Sequence, residues 1–144
     1  MSFGDWENEE EPASEALNEA MADDEEASEP QLVYGSAVEF FREYLRKVYV
    51  RRVNGQSTVW DARWWEIDEA LVRIESLWRS WEFLRQDAST GTSVWFRDHV
   101  DHHMAVLMSA EGPFAGSEAK TKRGEALPHE EPPEGLFPDV RNAE

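Results

Sequence analysis

Most of the histidines in the chain lie in one short stretch whose spacing could bind a metal ion or transfer protons. The stretch RDHVDHHM, residues 97–104, contains three of the four histidines. On one continuous helix, His99 and His103 are four residues apart and their imidazoles lie side by side. Asp98 and His102 form a second such pair, turned by about 100°. Two helical histidines are a zinc-binding element, so His99, His103 and Asp98 are the candidate metal ligands.

Other features of the sequence weigh against a metal site at this stretch. The chain has no cysteine, so thiolate ligands and disulfides are excluded. In the zinc motif HExxH a glutamate follows the first histidine, whereas Val100 occupies that position here. We therefore favour a structural role, in which His99 and His103 hydrogen-bond within a core and Asp98 pairs with an arginine. A structural metal and a catalytic site are the alternatives, and the sequence predicts no catalytic set and no cofactor.

The charge distribution divides the 144-residue chain into a compact middle and two polar ends. Residues 1–30 contain twelve acidic side chains and no lysine or arginine, which accounts for most of the net charge of −17. So polar a segment cannot bury enough apolar surface to offset the entropy of ordering. The end of the chain combines four prolines with scattered charge and is interpreted the same way. The predicted organisation is a disordered acidic leader (1–31), a helical domain (32–116) and a disordered tail (117–144).

The middle of the chain contains an apolar stripe that predicts a central helix. Six of the seven tryptophans lie between Trp60 and Trp95. Apolar side chains recur there at alternating steps of three and four residues, which is the period of an amphipathic helix. These residues are Trp64, Ile67, Leu71, Ile74, Trp78 and Trp81. Either Asp61 or Asp68 is suited to be the N-cap of this helix.

Two further helices are predicted on either side of the central one. The first covers roughly residues 37–49, with Ser36 as its N-cap. The turn at Asn54-Gly55 follows, which fits either a short hairpin or an irregular connection. A third helix begins after Gly91, capped by Thr92 or Ser93, and a break at Asp101 is an open alternative. The predicted fold is mainly α: a small three-helix, Trp-rich domain, with or without a minor β-hairpin, flanked by disordered acidic tails.

Two sets of residues are candidates for contacts with a partner. So small a core does not need every tryptophan, and tryptophan and arginine are enriched at interface hot spots. A basic patch runs along and after the first helix, where it could contact phosphates or an acidic partner. The alternative is a solvated helix face that pairs with Glu39 and Glu43. The candidates are Trp60, Trp64, Trp65, Arg42, Arg46, Lys47, Arg51 and Arg52.

Several function classes receive no support from the sequence. There is no run of 18 apolar residues and the N-terminus is acidic, so neither a transmembrane helix nor a secretory signal is predicted. No Gly-rich phosphate loop and no GxSxG nucleophile motif is present. We accordingly expect a cytoplasmic protein without membrane contact.

The ordered series of tryptophan motifs resembles a known family. The motifs are WxxRWW at residues 60–65, LWRSWEFLR at 77–85, GTSVWFRDHVDHHM at 91–104 and GPF at 112–114. They are similar to those of the actinobacterial domain-of-unknown-function family forty-nine thirteen, over roughly residues 34–116. The resemblance implies no activity. It implies an accessory protein of the kind found on plasmids, phages and integrative elements.

Together these features favour a non-enzymatic protein-interaction module with an unidentified protein partner. A metal-dependent hydrolase or nuclease built on the histidines and Asp98 is one alternative. Direct DNA contact through the Arg42–Arg52 patch is another, although the net charge of −17 opposes nonspecific nucleic-acid binding.

Overall fold

The computed structural model describes residues 31–142, so the predicted acidic leader lies outside the described residues except for Gln31. Within the described range the fold is mainly helical, as predicted. Its three main helices are α1 (residues 37–48), α2 (Asp68–Leu84) and α3 (residues 91–108). A short 3-10 turn at Trp64–Glu66 precedes α2, and another at Val140–Asn142 lies near the end of the chain. No helix in this part of the chain has the length and apolar character needed to cross a bilayer.

Helix α1 begins where the sequence predicted. The Ser36 hydroxyl accepts a hydrogen bond from the Glu39 amide at 3.0 Å, which satisfies one of the free donors of the first turn. The helix is α-helical at Ala37–Phe40, π-helical at Phe41–Leu45 and α-helical again at Arg46–Val48. Its apolar face is fully buried through Phe40, Phe41 and Leu45.

Helix α2 is the central helix, and its N-cap is Ile67, so the N-cap predicted at Asp61 or Asp68 is wrong. Asp68 and Glu69 place negative charge in its first turn, where that charge complements the helix dipole. Of the predicted apolar stripe, Ile74 and Trp78 lie on its buried face and Leu71 and Trp81 are half-buried, whereas Trp64 and Ile67 precede the helix. The side chains Ala70, Ile74, Leu77 and Trp78 are at most 2% exposed.

Helix α3 contains the histidine stretch and differs in two ways from the prediction. It begins at Gly91 itself, so Thr92 and Ser93 are not its N-cap. It also continues through Asp101, because a π-helical turn at Phe96–Val100 joins the α-helical parts Gly91–Trp95 and Asp101–Met108. The break at Asp101, which was the open alternative, is therefore wrong. The π-helical turn is wider than an α-helical turn by one residue.

The connection between α2 and α3 explains the early start of α3. A side chain at Gly91 would overlap the carbonyl of Leu84, so only glycine allows this close approach. The carboxylate of Asp87 accepts hydrogen bonds from the amides and hydroxyls of Ser89 and Thr90. These bonds, the one from the Ser89 hydroxyl first, lower the pKa of Asp87 to about 2. The hydrogen bonds of Asp87 therefore fix the loop before α3, and the predicted capping by Thr92 or Ser93 is not used.

The segment between α1 and α2 is irregular rather than a hairpin. The Asn54 side chain accepts hydrogen bonds from the amides of the next residues, Gln56, Ser57 and Thr58, and so closes a tight loop. Thr58 then forms a single antiparallel bridge with Ser109. Residues 31–142 contain no strand longer than this bridge, so of the two predicted alternatives the irregular connection is the one formed.

The end of the chain packs against the helices, which corrects the domain boundary predicted at residue 116. Leu127 is fully buried, and Thr121 is 9% exposed. The amides of Thr121, Leu127 and Glu130 donate to carbonyls of Val53, Arg46 and Ala62. We call residues 117–142 the C-terminal segment. Its prolines favour extended backbone, and that backbone finds its hydrogen-bond partners on the helical domain instead of in a helix or sheet of its own.

A buried carboxylate fixes the other end of the described chain. Glu82 on α2 is 5% exposed, and its two oxygens accept the amides of Val33 and Tyr34, both at 2.9 Å. Trp78 and Arg85 donate to the same carboxylate at 3.2 and 3.1 Å. A buried charge is tolerated when it is paired and hydrogen-bonded in this way. Glu82 thereby holds the approach to α1 against α2.

Replacing Leu127 by alanine tests whether the C-terminal segment belongs to the folded domain. Leu127→Ala removes a fully buried side chain, so we expect it to lower the free energy of unfolding by about 2–5 kcal/mol. Leu136→Ala is the matched control, since Leu136 lies in the same segment and is 53% exposed. Urea denaturation followed by tryptophan fluorescence measures both. Equal stability of the two variants would show that the segment does not contribute to the core.

Candidate functional site

The histidine stretch is engaged in local contacts rather than in a metal set. Asp98 accepts two hydrogen bonds from its neighbour Arg97, at 2.8 and 3.1 Å. His103 contacts Arg73 of α2, with 2.9 Å between Nδ1 and Nη1. Because a guanidinium can only donate, Nδ1 of His103 is the acceptor. Within residues 31–142, no three His, Cys, Asp or Glu side chains are placed to hold one metal ion.

Electrostatics at the stretch favour a neutral imidazole at His103 and an ionised carboxylate at Asp98. The pKa of His103 is lowered, first by burial and then by the positive charge of Arg73. The hydrogen bond from Arg97 lowers the pKa of Asp98, which keeps that carboxylate ionised beside its own partner. His103 pairs with Arg73, and Asp98 pairs with Arg97. Within residues 31–142, His99 belongs to no group of side chains that could hold a metal ion. The arginine pairing predicted for Asp98 is present.

The three candidate tryptophans are buried and bind the chain's own C-terminal segment. Trp60 and Trp64 are fully buried and Trp65 is 6% exposed, so none presents a surface to a partner. Their indole N–H groups donate to three successive residues: to the Pro128 carbonyl at 3.0 Å, to His129 Nδ1 at 3.1 Å and to the Glu130 carbonyl at 2.7 Å. The interaction role predicted for these tryptophans is thus corrected, because their hydrogen-bonding capacity is used within the fold.

His129 is the fourth histidine and lies at the centre of these contacts. Its side chain is 5% exposed, and its ring packs 5.4 Å from that of Phe41. Nδ1 accepts from the Trp64 indole, so the proton of the neutral ring is on Nε2, which lies 3.0 Å from a Glu131 oxygen. Burial is the largest cause of a lowered pKa for His129, and it outweighs the opposing effect of Glu131. Sequence reasoning missed this residue because it lies beyond residue 116.

The predicted basic patch divides into a paired part and an exposed part. Arg42 lies 3.0 Å from Glu43 and 2.6 Å from Glu131, and Lys47 lies 3.8 Å from Glu43. Arg46 donates to the carbonyl of Leu127 at 2.9 Å. The contacts with Glu43 correspond to the solvated helix face that was the alternative interpretation, whereas within residues 31–142 Glu39 pairs with Arg141 and not with the patch.

The exposed part of the patch is extended by cations from the C-terminal segment. Thr121 bonds to Val53 and Leu127 bonds to Arg46, so the chain between them runs back along the end of α1. Residues 120–124, KTKRG, contain three exposed cationic side chains. The pairing of Thr121 with Val53 puts them near Arg51 and Arg52, the two exposed arginines after α1. We call the combined surface the basic edge. It consists of Arg46, Lys47, Arg51, Arg52, Lys120, Lys122 and Arg123.

Six of the seven cations of the basic edge form no ion pair with a carboxylate within residues 31–142, and the exception is Lys47, which lies 3.8 Å from Glu43. Arg46 donates to a backbone carbonyl instead, and Arg52, Lys120, Lys122 and Arg123 form no ion pair there. Arg51 lies over the ring of Tyr49, 4.0 Å from its centroid, and has no carboxylate partner in the same range. A hollow of about 330 Å³ adjoins the edge, lined by Tyr49, Arg51, Arg52 and side chains of α3. The edge is therefore a cationic surface with free charge at its centre.

Comparison with known proteins identifies a family but no function. The model of a domain of unknown function, DUF4913, matches residues 34–135. The chain belongs to this family. The match agrees with the resemblance of the tryptophan motifs, and the DUF4913 region includes most of the C-terminal segment, as the structure does. No curated protein and no solved structure matches the chain.

The cations that complete the basic edge could have been found in the sequence. KTKRG is a dense basic run, and it contains two of the three lysines of the chain. The run lies in a proline-containing acidic region, where scattered charge predicts disorder, and for that reason it was not assigned to the patch. Only the contacts of Thr121 and Leu127 reveal that this run lies beside α1 in the folded DUF4913 domain.

Protonation of His129 should destabilise the domain in mild acid. The folded pKa lies below the unfolded value of about 6.5, so the unfolded chain binds more protons below that pH. The free energy of unfolding therefore falls as the pH drops from about 6.5 towards the folded pKa. The physical reason is that a protonated Nδ1 cannot accept the Trp64 indole N–H. Urea denaturation at a series of pH values measures the slope.

Two variants separate His129 from the other histidines. His129→Asn retains an acceptor for Trp64 and does not titrate, so its stability should depend less on pH. His102→Asn is the control, because His102 is exposed and its replacement should leave the slope unchanged. His103, whose pKa is lowered in the same direction, accounts for a remaining dependence. An unchanged slope in His129→Asn would assign the acid sensitivity to other groups.

Proposed function

We propose that the chain is a non-enzymatic interaction module whose basic edge binds an acidic segment of a protein partner. One observation carries this proposal. The fold collects seven cationic side chains from two parts of the sequence about 70 residues apart, and six of them, all but Lys47, form no ion pair with a carboxylate within residues 31–142. Unpaired charge of one sign on one surface attracts a partner of the opposite charge.

The non-enzymatic part of the proposal rests on what the candidate catalytic groups contact. His103 and Asp98 each pair with an arginine, and His129 is enclosed between Trp64 and Glu131. A general base or a metal ligand needs a free lone pair that faces a substrate or an ion. In the described chain the acceptor nitrogens of His103 and His129 are used on Arg73 and Trp64, so a hydrolase or nuclease at this stretch is the weaker alternative.

A protein partner suits the edge better than a nucleic acid. Single strands are bound by exposed aromatic rings on which bases stack, and the aromatic ring of this edge, Tyr49, is 8% exposed beneath Arg51. Duplex DNA is read by a helix or strand pair that enters a groove, whereas the exposed cations here lie on loops.

The resemblance of the tryptophan motifs supports a finer proposal about context. We propose a cytoplasmic accessory protein of an actinobacterial mobile element, with an acidic partner encoded on the same element. The absence of cysteine from all 144 residues suits a reducing compartment.

Charge reversal at the C-terminal part of the edge tests the proposed function. A fluorescently labelled Asp/Glu-rich peptide serves as the probe, and anisotropy gives its affinity for the full chain. We expect salt-dependent binding that weakens about tenfold or more in the triple variant Lys120→Glu/Lys122→Glu/Arg123→Glu, since each rim charge contributes about 0.2–1 kcal/mol and reversal doubles the change.

A second charge reversal and a second probe complete the experiment. Arg97→Glu is the control, since Arg97 is exposed but lies on α3 outside the edge, and it should leave the affinity unchanged. A DNA duplex is titrated in parallel. Tighter binding of the duplex than of the peptide would favour direct DNA contact, and equal binding by the triple variant would refute a role for the edge.

A further inference from the structure

Helix α2 has a second apolar stripe, on the side opposite its buried face. Val72 is 64% exposed and Phe83 is 73% exposed, the two highest values among the large apolar side chains described. Eleven residues separate them, which is three turns and about 16 Å along the helix. Ser76 and Arg79 fill the positions between, so the stripe Val72, Ser76, Arg79, Phe83 follows the 4-3-4 spacing of a helix-pairing seam.

At one end of this stripe the Phe83 side chain projects from the surface, and at the other end Val72 adjoins a hollow. Phe83 extends a phenyl ring into solvent. Beside Val72 lies a hollow of about 370 Å³, which is lined by Val72 together with Asp68, Glu69, Arg73, Ser76 and His103. Most of the polar groups around it are paired: Arg73 binds Glu69 and His103, and the Ser76 hydroxyl donates to the Val72 carbonyl. The carboxylate of Asp68 also lines the hollow and forms no ion pair within residues 31–142. Aliphatic parts of these side chains are therefore left to line the hollow.

We propose that two copies of this chain pair in antiparallel fashion through the outer face of α2, each inserting Phe83 into the other's hollow beside Val72. A twofold axis between Ser76 and Arg79 brings position 83 of one helix opposite position 72 of the other, and the reverse contact forms at once. Such an interface is isologous, because projection and hollow lie on the same helix of the same chain. This self-complementarity identifies the occupant as a second copy.

Charge on one flank of the stripe fits the same arrangement. In an antiparallel pair the same flank of both helices meets, so Glu75 of one copy faces Arg79 of the other. Within residues 31–142 Glu75 has no cationic partner, although Arg79 is four residues away on the same helix. Arg79 instead lies over the Trp78 ring, 4.2 Å from its centroid. Both charges are thus free to form two ion pairs across the twofold axis.

The expected dimer is weak. One helix pair buries less than the about 1,200–2,000 Å² of stable interfaces, and two chains of net charge −17 repel each other. At physiological ionic strength the screening length is about 8 Å, so contacts at α2 outweigh the charge elsewhere. We expect a monomer–dimer equilibrium in the micromolar range, independent of the basic edge.

Sedimentation velocity of the full chain over a range of concentrations, at physiological ionic strength, tests the proposal. The unmodified chain should dimerise as concentration rises, and Phe83→Glu should raise the dissociation constant about tenfold or more. Leu136→Glu is the matched control, since Leu136 is similarly exposed on the C-terminal segment, and it should dimerise normally. Circular dichroism checks that both variants are folded. A chain that remains monomeric, or a Phe83→Glu variant that dimerises as before, would overturn the proposal.

Charge exchange tests the antiparallel geometry without changing the apolar stripe. Glu75→Arg and Arg79→Glu each create two like-charge contacts across the axis and should weaken the dimer. The double variant restores both ion pairs and should recover the original dissociation constant. A double variant as weak as either single one would refute the antiparallel arrangement.

Discussion

Burial of indole rings in so small a core constrains this fold more than any other interaction. A large aromatic ring contributes about 150–250 Å² of buried surface, and five of the six tryptophans in residues 31–142 are buried. Each indole also carries one N–H donor, and an unpaired buried donor is costly. The buried tryptophans find acceptors on Leu77, Glu82, Pro128, His129 and Glu130. Three of these five acceptors lie in the C-terminal segment, so the core is complete only when that segment is in place.

The parts of the fold that the sequence predicts are those determined by local periodicity. The alternation of three and four residues from Trp64 to Trp81 identified α2 and its buried face, and the hydroxyl of Ser36 identified the start of α1. Both depend on contacts within a turn or two of helix. The π-helical turn at Phe96–Val100 was not predicted, because its wider turn follows from packing of α3 as a whole and has no signature in residue type.

The C-terminal segment escaped prediction for a different physical reason. Its prolines and charges form no periodic apolar face, and apolar periodicity is the main signal for secondary structure. What holds the segment is Leu127 in the core together with backbone carbonyls that accept indole protons. Every residue type has such a carbonyl, so the sequence cannot mark which ones are used. The prediction of the candidate site was incomplete for the same reason. The tryptophans were assigned to a surface, His129 was not identified, and only the part of the basic edge from Arg46 to Arg52 was predicted.

The same segment connects the stability of the core to the charge of the surface. The chain is held at two points: Thr121 bonds to Val53, and Leu127 bonds to Arg46. Between these points it lies along the end of α1. The lysines and arginine of that run are thereby held beside Arg51 and Arg52, although the chain as a whole is strongly acidic. Screening at physiological salt limits the reach of exposed charges to about 8 Å, so a partner at this edge experiences mainly the local cations and not the net charge of −17. The acceptors that satisfy Trp60, Trp64 and Trp65 therefore also determine where the positive surface forms.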